Sequence, residues 1–508
     1  GGAPPPLWMR LALRVMNVNP GGLWDATEYV ERLEGLGYAN VRVEILEGVL
    51  EPWVPRAFLT YLGYAIIIAD APLGAARREK VAVIGSGMAG LVVAHSLCAD
   101  FDVTVFEGAK SLGLAGNPTA LGGVTVDMPL RLSNPPMYPT VGRLADALGV
   151  ERVDSHLELC FYGNSAPPSA RAGYAISEAP LSNLRTVGPH VGDILRASSL
   201  FWSAEAALSG TPAAAGGQNE TWGELLDREG HGSECFDHGS QSSTLWVSTG
   251  MFSWMLSCSY SVLRNYPAST ILSFVRDNGL SPSQWLQGTK ASNFRFKKGA
   301  GAMADALAYG STLRLGEWVG PVGADRVVGG EAFDFVVVST DAPAVPKVLP
   351  GGAGCVPDTG VFGRFPYHPS EVVIHRDVSL MPANRRQWKT FNVCQDAGHD
   401  SAMLSVWLNK FYPEGDFQGD VFETWNPYSR PEDIIKEAKF ARVTSTRDSR
   451  GLLAQVASMQ GQGGFYFAGA YSVFGMGLLE AAAQSGEHAA RLIRLDSATL
   501  QQSSRQPP

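Results

Sequence analysis

Three features of this chain predict an α/β fold built on a Rossmann-like nucleotide domain with an α+β substrate lobe inserted into it. The first is a strand, turn and helix over residues 81–98, whose turn reads Gly85-Ser86-Gly87-Met88-Ala89-Gly90. The second is an acid, Glu107, at the end of the next apolar strand, about 20 residues past the turn. The third is a strand, glycine turn and alanine-rich helix over 465–486, which repeats the first device at the far end of the chain. The nucleotide domain must therefore be assembled from distant pieces.

In the first motif Val81, Ala82, Val83 and Ile84 run without alternation, as a strand buried on both faces should. Gly85 permits a sharp exit from the strand, Gly87 has no Cβ to block a pyrophosphate, and Gly90 lets the helix over 91–98 pack closely. Ser86, Met88 and Ala89 complete the cofactor-binding turn, with phosphates placed at the helix N-terminus, where free N–H groups and the helix dipole favour negative charge. Glu107 is placed to accept hydrogen bonds from an adenosine ribose, and an acid there repels a 2′-phosphate. A plain βαβ unit with a chance glycine pattern is the bland alternative, but it would not need the strand before, the helix after and the acid beyond.

The 508 residues suffice for about three domains or for a large two-lobed enzyme, and 45% hydrophobic content supports a real core. A net charge of −9, spread along the chain, argues against a nucleic-acid partner. Cys98, Cys160, Cys235, Cys258, Cys355 and Cys394 stand far apart, with no ligand-like pairing to histidines. They read as free thiols in a reducing compartment, which predicts no metal site and an intracellular location, cytoplasmic or organellar. No signal peptide is visible, and no apolar run approaches the ~18 residues of a membrane span. Peripheral contact with a membrane stays open, and so does the oligomeric state.

Residues 1–72 stand apart from the nucleotide unit. A strand or helix end over 8–15, a helix over 26–36, an alternating strand over 40–46, a short helix over 55–62 and an apolar strand over 64–69 are expected. The pieces GGLWDATEYVERLEGLGYANVRVE and YAIIIADAP resemble the C-terminal end of a class I S-adenosylmethionine-dependent methyltransferase. The cofactor-binding half of such a fold is not included, which implies either a chain truncated upstream or a structural remnant. Residues 73–80 read as a linker.

Residues 81–150 form the first part of the nucleotide domain, closing with a helix over 138–150 that Gly149 stops. VAVIGSGMAGL, DVTVFEGAKSLG, the Asp127-Met128-Pro129-Leu130 segment and the Tyr138-Pro139 helix resemble the flavin-containing amine oxidoreductase superfamily, which includes phytoene-desaturase-like enzymes. In particular they resemble a bacterial and plant branch found beside, or fused to, cyclopropane-fatty-acid synthases. The resemblance implies FAD as cofactor, with Gly113 on its flavin-side loop. The family's Gly-Gly pair appears here as Gly113-Leu114-Ala115-Gly116.

Residues 151–290 read as the inserted, largely helical substrate lobe, with loops over 165–175 and 209–220 and helices over 193–208, 221–227 and 244–264. Thr221 and Glu224 form a capping-box pattern. The apolar, aromatic stretch 245–260 is either core or a wall for a greasy substrate. Residues 291–345 return to the nucleotide domain, with a helix over 302–309 and strands over 312–319 and 334–340. Lys297 and Lys298, comparable to the lysine that holds a water near the flavin in amine oxidases, read more simply as a solvated pair. Residues 346–460 supply a sheet to floor the substrate cavity, with strands over 372–377, 403–408 and 421–427; His375, Arg376 and Asp377 carry no triad or metal spacing.

Residues 461–496 close the nucleotide domain, and 497–508 read as a disordered tail. A helix N-terminus near Gly477 could stabilise negative charge on a flavin edge, which an NAD-only dehydrogenase does not need. The match to the superfamily's C-terminal motif, with its G…E…SG spacing, implies cofactor contacts at Gly469, Ala470 and Gly477. Ala470 stands where many members carry an acid, which leaves the backbone N–H groups of Gly469 and Gly477 to serve. Only Tyr471 and Phe474 are local candidates for the aromatic pair that cages an amine. Together these features predict an FAD-dependent oxidoreductase, a flavoprotein moving hydride from an apolar, lipid-type small molecule to flavin, with no catalytic residue identified. The alternative is a remnant or partner of a lipid methyltransferase system with a non-catalytic FAD domain.

Overall fold

The computed structural model describes strands at 13–14, 39–45 and 65–70, and residues 78–155, 157–163, 174–176, 220–232, 244–277, 293–351, 356–396 and 398–505. The chain divides into two compact units between Arg78 and Glu79. In the first, Ala65–Asp70 lies between Leu13–Arg14 and Ala39–Ile45, antiparallel to both. The helices expected over 26–36, 55–62 and 193–208 and the loop over 209–219 lie outside the described residues.

The second unit holds a five-stranded parallel sheet in the order Thr312–Leu315, Asp102–Glu107, Lys80–Ile84, Phe335–Val338, Phe465–Phe467. Its inner strands are covered on both faces, which is why they carry unbroken apolar runs. Val81, Val83, Val103 and Val105 face the helices Met88–Leu97, Ala300–Ala308 and Leu479–Arg505, while Ala82, Ile84, Val336 and Val338 pack toward helix Ser449–Met459 and Phe362. The edge strand Thr312–Leu315 stops before 319, where Gly316 turns with φ +71°. The first helix starts at Met88 rather than at residue 91. The last helix starts at Leu479 and runs to Arg505, through the stretch expected to be a disordered tail. These two helices pack at close range because a Cβ on Gly486 would stand 2.5 Å from the Ala89 carbonyl oxygen.

A seven-stranded sheet forms the other lobe, in the order Tyr174–Ile176, Leu159–Tyr162, Phe391–Cys394, Met403–Trp407, Phe422–Trp425, Tyr367–His375, Ile434–Val443. The inserted lobe and the later strands are thus one structure. Ile434–Val443 is an edge strand with no expected counterpart. The helix expected over 244–264 is broken: Thr244–Leu256 ends at Ser257 in the left-handed region (φ +51°), and Ser259 accepts from the Val262 N–H at 3.2 Å to cap Tyr260–Arg264. The capping box forms in both directions, with the Thr221 N–H donating to Glu224 at 3.0 Å and the Glu224 N–H to Thr221 at 3.3 Å. Phe252 and Leu256 enter the core with Trp222 and Tyr266, while Met251, Trp254 and Met255 stay partly buried.

His375 and Glu423 are both buried in this sheet. The Asp377 N–H donates to His375 Nδ1 at 3.1 Å, so Nε2 carries the proton and donates to Thr424 Oγ1 at 2.7 Å. Thr424 bonds Ser405 Oγ at 2.8 Å, and burial lowers the imidazole to about 4. Glu423 Oε1 accepts from the Leu130 N–H at 2.7 Å and Trp425 Nε1 at 3.1 Å, while Oε2 has no partner. Burial pushes the Glu423 carboxyl up to about 8. The folded chain therefore holds a proton on Glu423 that the unfolded chain has released, and this group lowers stability as pH rises toward 8. Replacing Glu423 by Gln should remove that loss. The difference in unfolding free energy between variant and wild type, read from urea melts, should shift in favour of the variant by about 2 kcal/mol between pH 6.5 and 8.

Candidate functional site

The glycine turn lies at the carboxyl ends of the parallel strands, where ligands of open α/β sheets bind. Gly85 leaves its strand with φ +106°, and a Cβ there would meet the Ser339 carbonyl oxygen at 2.6 Å. Gly90 is pressed so closely on the turn that its Cβ would stand 2.0 Å from the Gly85 oxygen. Gly87 differs, because its φ is an ordinary −68° and nothing lies within 4 Å of where a Cβ would be. Folding does not demand a glycine at this position. It opens a space at the N-terminus of helix Met88–Leu97, which has neither a side-chain cap nor an acid in its first turn. First-turn N–H groups have no intrahelical partner, so this cradle suits a phosphate.

Glu107 is fixed beside the cradle. Its Oε2 accepts from Ser86 Oγ at 2.6 Å and from the Ser86 N–H at 3.1 Å, and its Oε1 accepts from the Ala109 N–H at 2.9 Å. The Gly113 N–H donates to Ser86 Oγ at 2.7 Å, and a Cβ on Gly113 would come 3.2 Å from Glu107 and 3.4 Å from the Gly87 nitrogen. Gly85 to Gly90, Glu107 and Gly113 therefore come together. The Ser86 side chain was not foreseen as the link between them, since the glycine spacing says nothing about the residue in between. The Asp127 segment is tied in separately, because buried Asp127 accepts from the Ala300 N–H at 2.9 and 3.1 Å and caps helix Ala300–Ala308. Burial raises its carboxyl above the usual range, against the pull of that bond.

The C-terminal motif is built from packing as much as from binding. The Gly469 N–H, expected to face the cofactor, instead donates to Ser485 Oγ at 2.9 Å. Gly477, with φ +62°, lies against the edge strand, where a Cβ would meet Val443 Cγ1 at 2.7 Å. Glu480 accepts from the Thr140 N–H at 3.0 Å and the Val141 N–H at 3.1 Å, capping helix Pro139–Ala147. The G…E…SG spacing thus records three contacts between elements. Ala470 and Gly477 line a small pocket with Phe365, Thr444 and Phe474.

No amine cage forms from Tyr471 and Phe474. Tyr471 is buried between Phe362 and Phe365, with ring centroids 5.6 and 5.5 Å away, whereas Phe474 lies under the Arg450 guanidinium at 3.9 Å. Lys297 and Lys298 are exposed, and Lys297 pairs with Glu151 at 2.8 Å. His375 is consumed by its hydrogen-bonded chain, and Asp377 caps the following turn through the Ser379 N–H at 2.8 Å. Among the described residues no cluster of His, Cys, Asp and Glu could hold a metal, and Cys98, Cys160, Cys258 and Cys394 form no disulfide.

Residues 83–148 match the family model of NAD(P)-binding Rossmann-like domains. Among solved structures, the CLA-producing fatty acid isomerase from P. acnes is 14% identical with a TM-score of 0.56, over 82% of this chain and 98% of that one. The fold is that of the amine oxidases. Cyclohexylamine oxidase from Brevibacterium oxydans is 15% identical with a TM-score of 0.56, over 83% of this chain and 100% of that one. UDP-galactopyranose mutase, solved in a reduced state, is 13% identical with a TM-score of 0.53, over 82% and 95%. No curated protein matches the sequence. Among the described residues no helix is long and apolar enough to cross a membrane.

The open space at Gly87 separates folding from binding. Gly87→Ala should leave the melting temperature unchanged or slightly raised, since Ala tolerates this backbone and stiffens the unfolded chain. The same variant should bind an adenine dinucleotide at least roughly tenfold more weakly, a loss of about 1.4 kcal/mol on equilibrium titration.

Proposed function

We propose that this chain is an FAD-dependent oxidoreductase of the amine oxidase and desaturase superfamily, acting on an apolar, lipid-type substrate. The observation that carries this reading is the convergence of the open Gly87 cradle and the tethered Glu107 carboxylate at the carboxyl ends of the parallel strands. The cradle's N–H groups would hold the pyrophosphate, and Glu107, kept in place by Ser86 and Ala109, would accept from the ribose hydroxyls through its remaining lone pairs. FAD is preferred to NAD because Ala468 and Gly469, from the far end of the chain, come to the same sheet edge beside Val338. When bound, the isoalloxazine would supply the hydride-accepting chemistry, and the protein's part is orientation and exclusion of water.

The partly buried Met251, Trp254 and Met255 support an apolar substrate, as does the resemblance to proteins associated with cyclopropane-fatty-acid synthases. The want of an aromatic pair at Tyr471 and Phe474 argues against amines. It also favours a second reading, a non-catalytic FAD domain joined to a methyltransferase remnant at residues 1–72. Anaerobic titration of the purified chain separates them. A visible flavin band that bleaches with dithionite and with an apolar C–H donor is the expected result. A band that bleaches with dithionite alone, across candidate lipids, would move the assignment to the second reading.

A further inference from the structure

Trp318 is 85% exposed, which folding does not explain, since a tryptophan ordinarily hides most of its large apolar surface. Its place is nevertheless fixed. The edge strand Thr312–Leu315 runs in register with the strand that ends in Glu107, and Leu315 stands opposite Glu107 itself. Beyond that pair the chain stays tied to the same neighbour, because the Gly316 N–H donates to the Ala109 oxygen at 2.7 Å and the Glu317 N–H to the Glu107 oxygen at 2.9 Å. Arg314 holds the Glu317 carboxylate through Nε at 2.8 Å and Nη2 at 2.7 Å, and its guanidinium lies over the Phe106 ring at 4.9 Å. Trp318 follows directly on this anchored residue.

Gly108 shows where the indole goes. Its φ lies outside the left-handed region, so its backbone makes no demand for glycine. The demand comes from Trp318: a Cβ on Gly108 would stand 2.6 Å from indole Cε2, 2.7 Å from Cδ2 and 3.0 Å from Cε3. Cε2 and Cδ2 are the fusion carbons, which are reached only through the face of the ring. One face of the indole therefore covers Gly108, one residue beyond Glu107, and the other face is open.

In an adenine dinucleotide the base leaves the ribose at C1′, beside the 2′-hydroxyl and away from the pyrophosphate. With the pyrophosphate at Gly87 and the ribose hydroxyls at Glu107, the base comes out beside Gly108, at the edge of the described sheet. We propose that the adenine base stacks on the open face of Trp318. Stacking holds a planar base on an aromatic ring without reading its edge, and an indole kept in place beforehand loses little freedom when the base arrives. The proposal rests on the dinucleotide reading of the Gly87 and Glu107 cradle and adds the residue that holds the base.

The probes are ADP and ribose 5-diphosphate, which share sugar and pyrophosphate and differ by the base. They are measured by calorimetry on the full chain, the second in competition with the first, and FAD is titrated beside them. Trp318→Ala should weaken ADP and FAD roughly 10- to 100-fold, the size of one lost base–aromatic stack, and leave ribose 5-diphosphate unchanged. Trp318→Phe should fall between, and ADP should quench part of the tryptophan fluorescence of the wild type but not of Trp318→Phe. An unchanged melting temperature reports that each variant is folded. A Trp318→Ala chain that keeps its affinity for ADP and FAD overturns the stack and leaves the flavoenzyme reading standing. Equal weakening of ADP and ribose 5-diphosphate also overturns it, since the indole would then only shape the end of the Glu107 strand. A chain that binds ADP through Trp318 but never takes up FAD keeps the stack and removes the flavoenzyme reading, and a wild type that binds none of the three removes both.

Discussion

The hydrogen bonds from Ser86 to Glu107 are the constraint on which the nucleotide half depends. They fix the end of one strand to the turn leaving its neighbour, and Gly113 closes over the same oxygen. Such an arrangement tolerates no side chain at Gly85 or Gly90, where backbone atoms already fill the space a Cβ would need. Only Gly87 is free of that demand. The difference distinguishes the glycines that shape the turn from the one that leaves it open.

Building this edge requires both ends of the second unit. Phe465–Phe467 joins the sheet beside Phe335–Val338, and the last helix lies across the first through Gly486. Ser485, one residue earlier, holds the Gly469 N–H, and Glu480 caps a helix some 340 residues away in sequence. The lobe between is closed off as its own seven-stranded sheet, so the nucleotide half keeps a continuous core although its chain is interrupted. His375, Thr424 and Ser405, buried in that lobe, form a hydrogen-bonded chain, which ties them to structure and leaves them no spare capacity for chemistry.

What the sequence makes legible follows from burial. Val81 to Ile84 and Phe335 to Val338 are covered on both faces, so their strands stand out as apolar runs. Ile434–Val443 does not, because an edge strand with Lys436, Glu437, Lys439 and Arg442 looks like a solvated segment. The break at Ser257 is hidden inside an apolar helical pattern, since a left-handed serine leaves no mark on periodicity. Spacing singles out Gly469 in the closing motif, but the partner that occupies its N–H lies on another element.

An adenine dinucleotide of the flavin type is proposed to sit against Gly87 and Glu107, and denaturing the purified chain and weighing what is released tests that proposal. One FAD per chain, present on isolation or after incubation with free FAD, is the predicted result. Release of NAD, or a colourless chain that takes up no FAD, would contradict it.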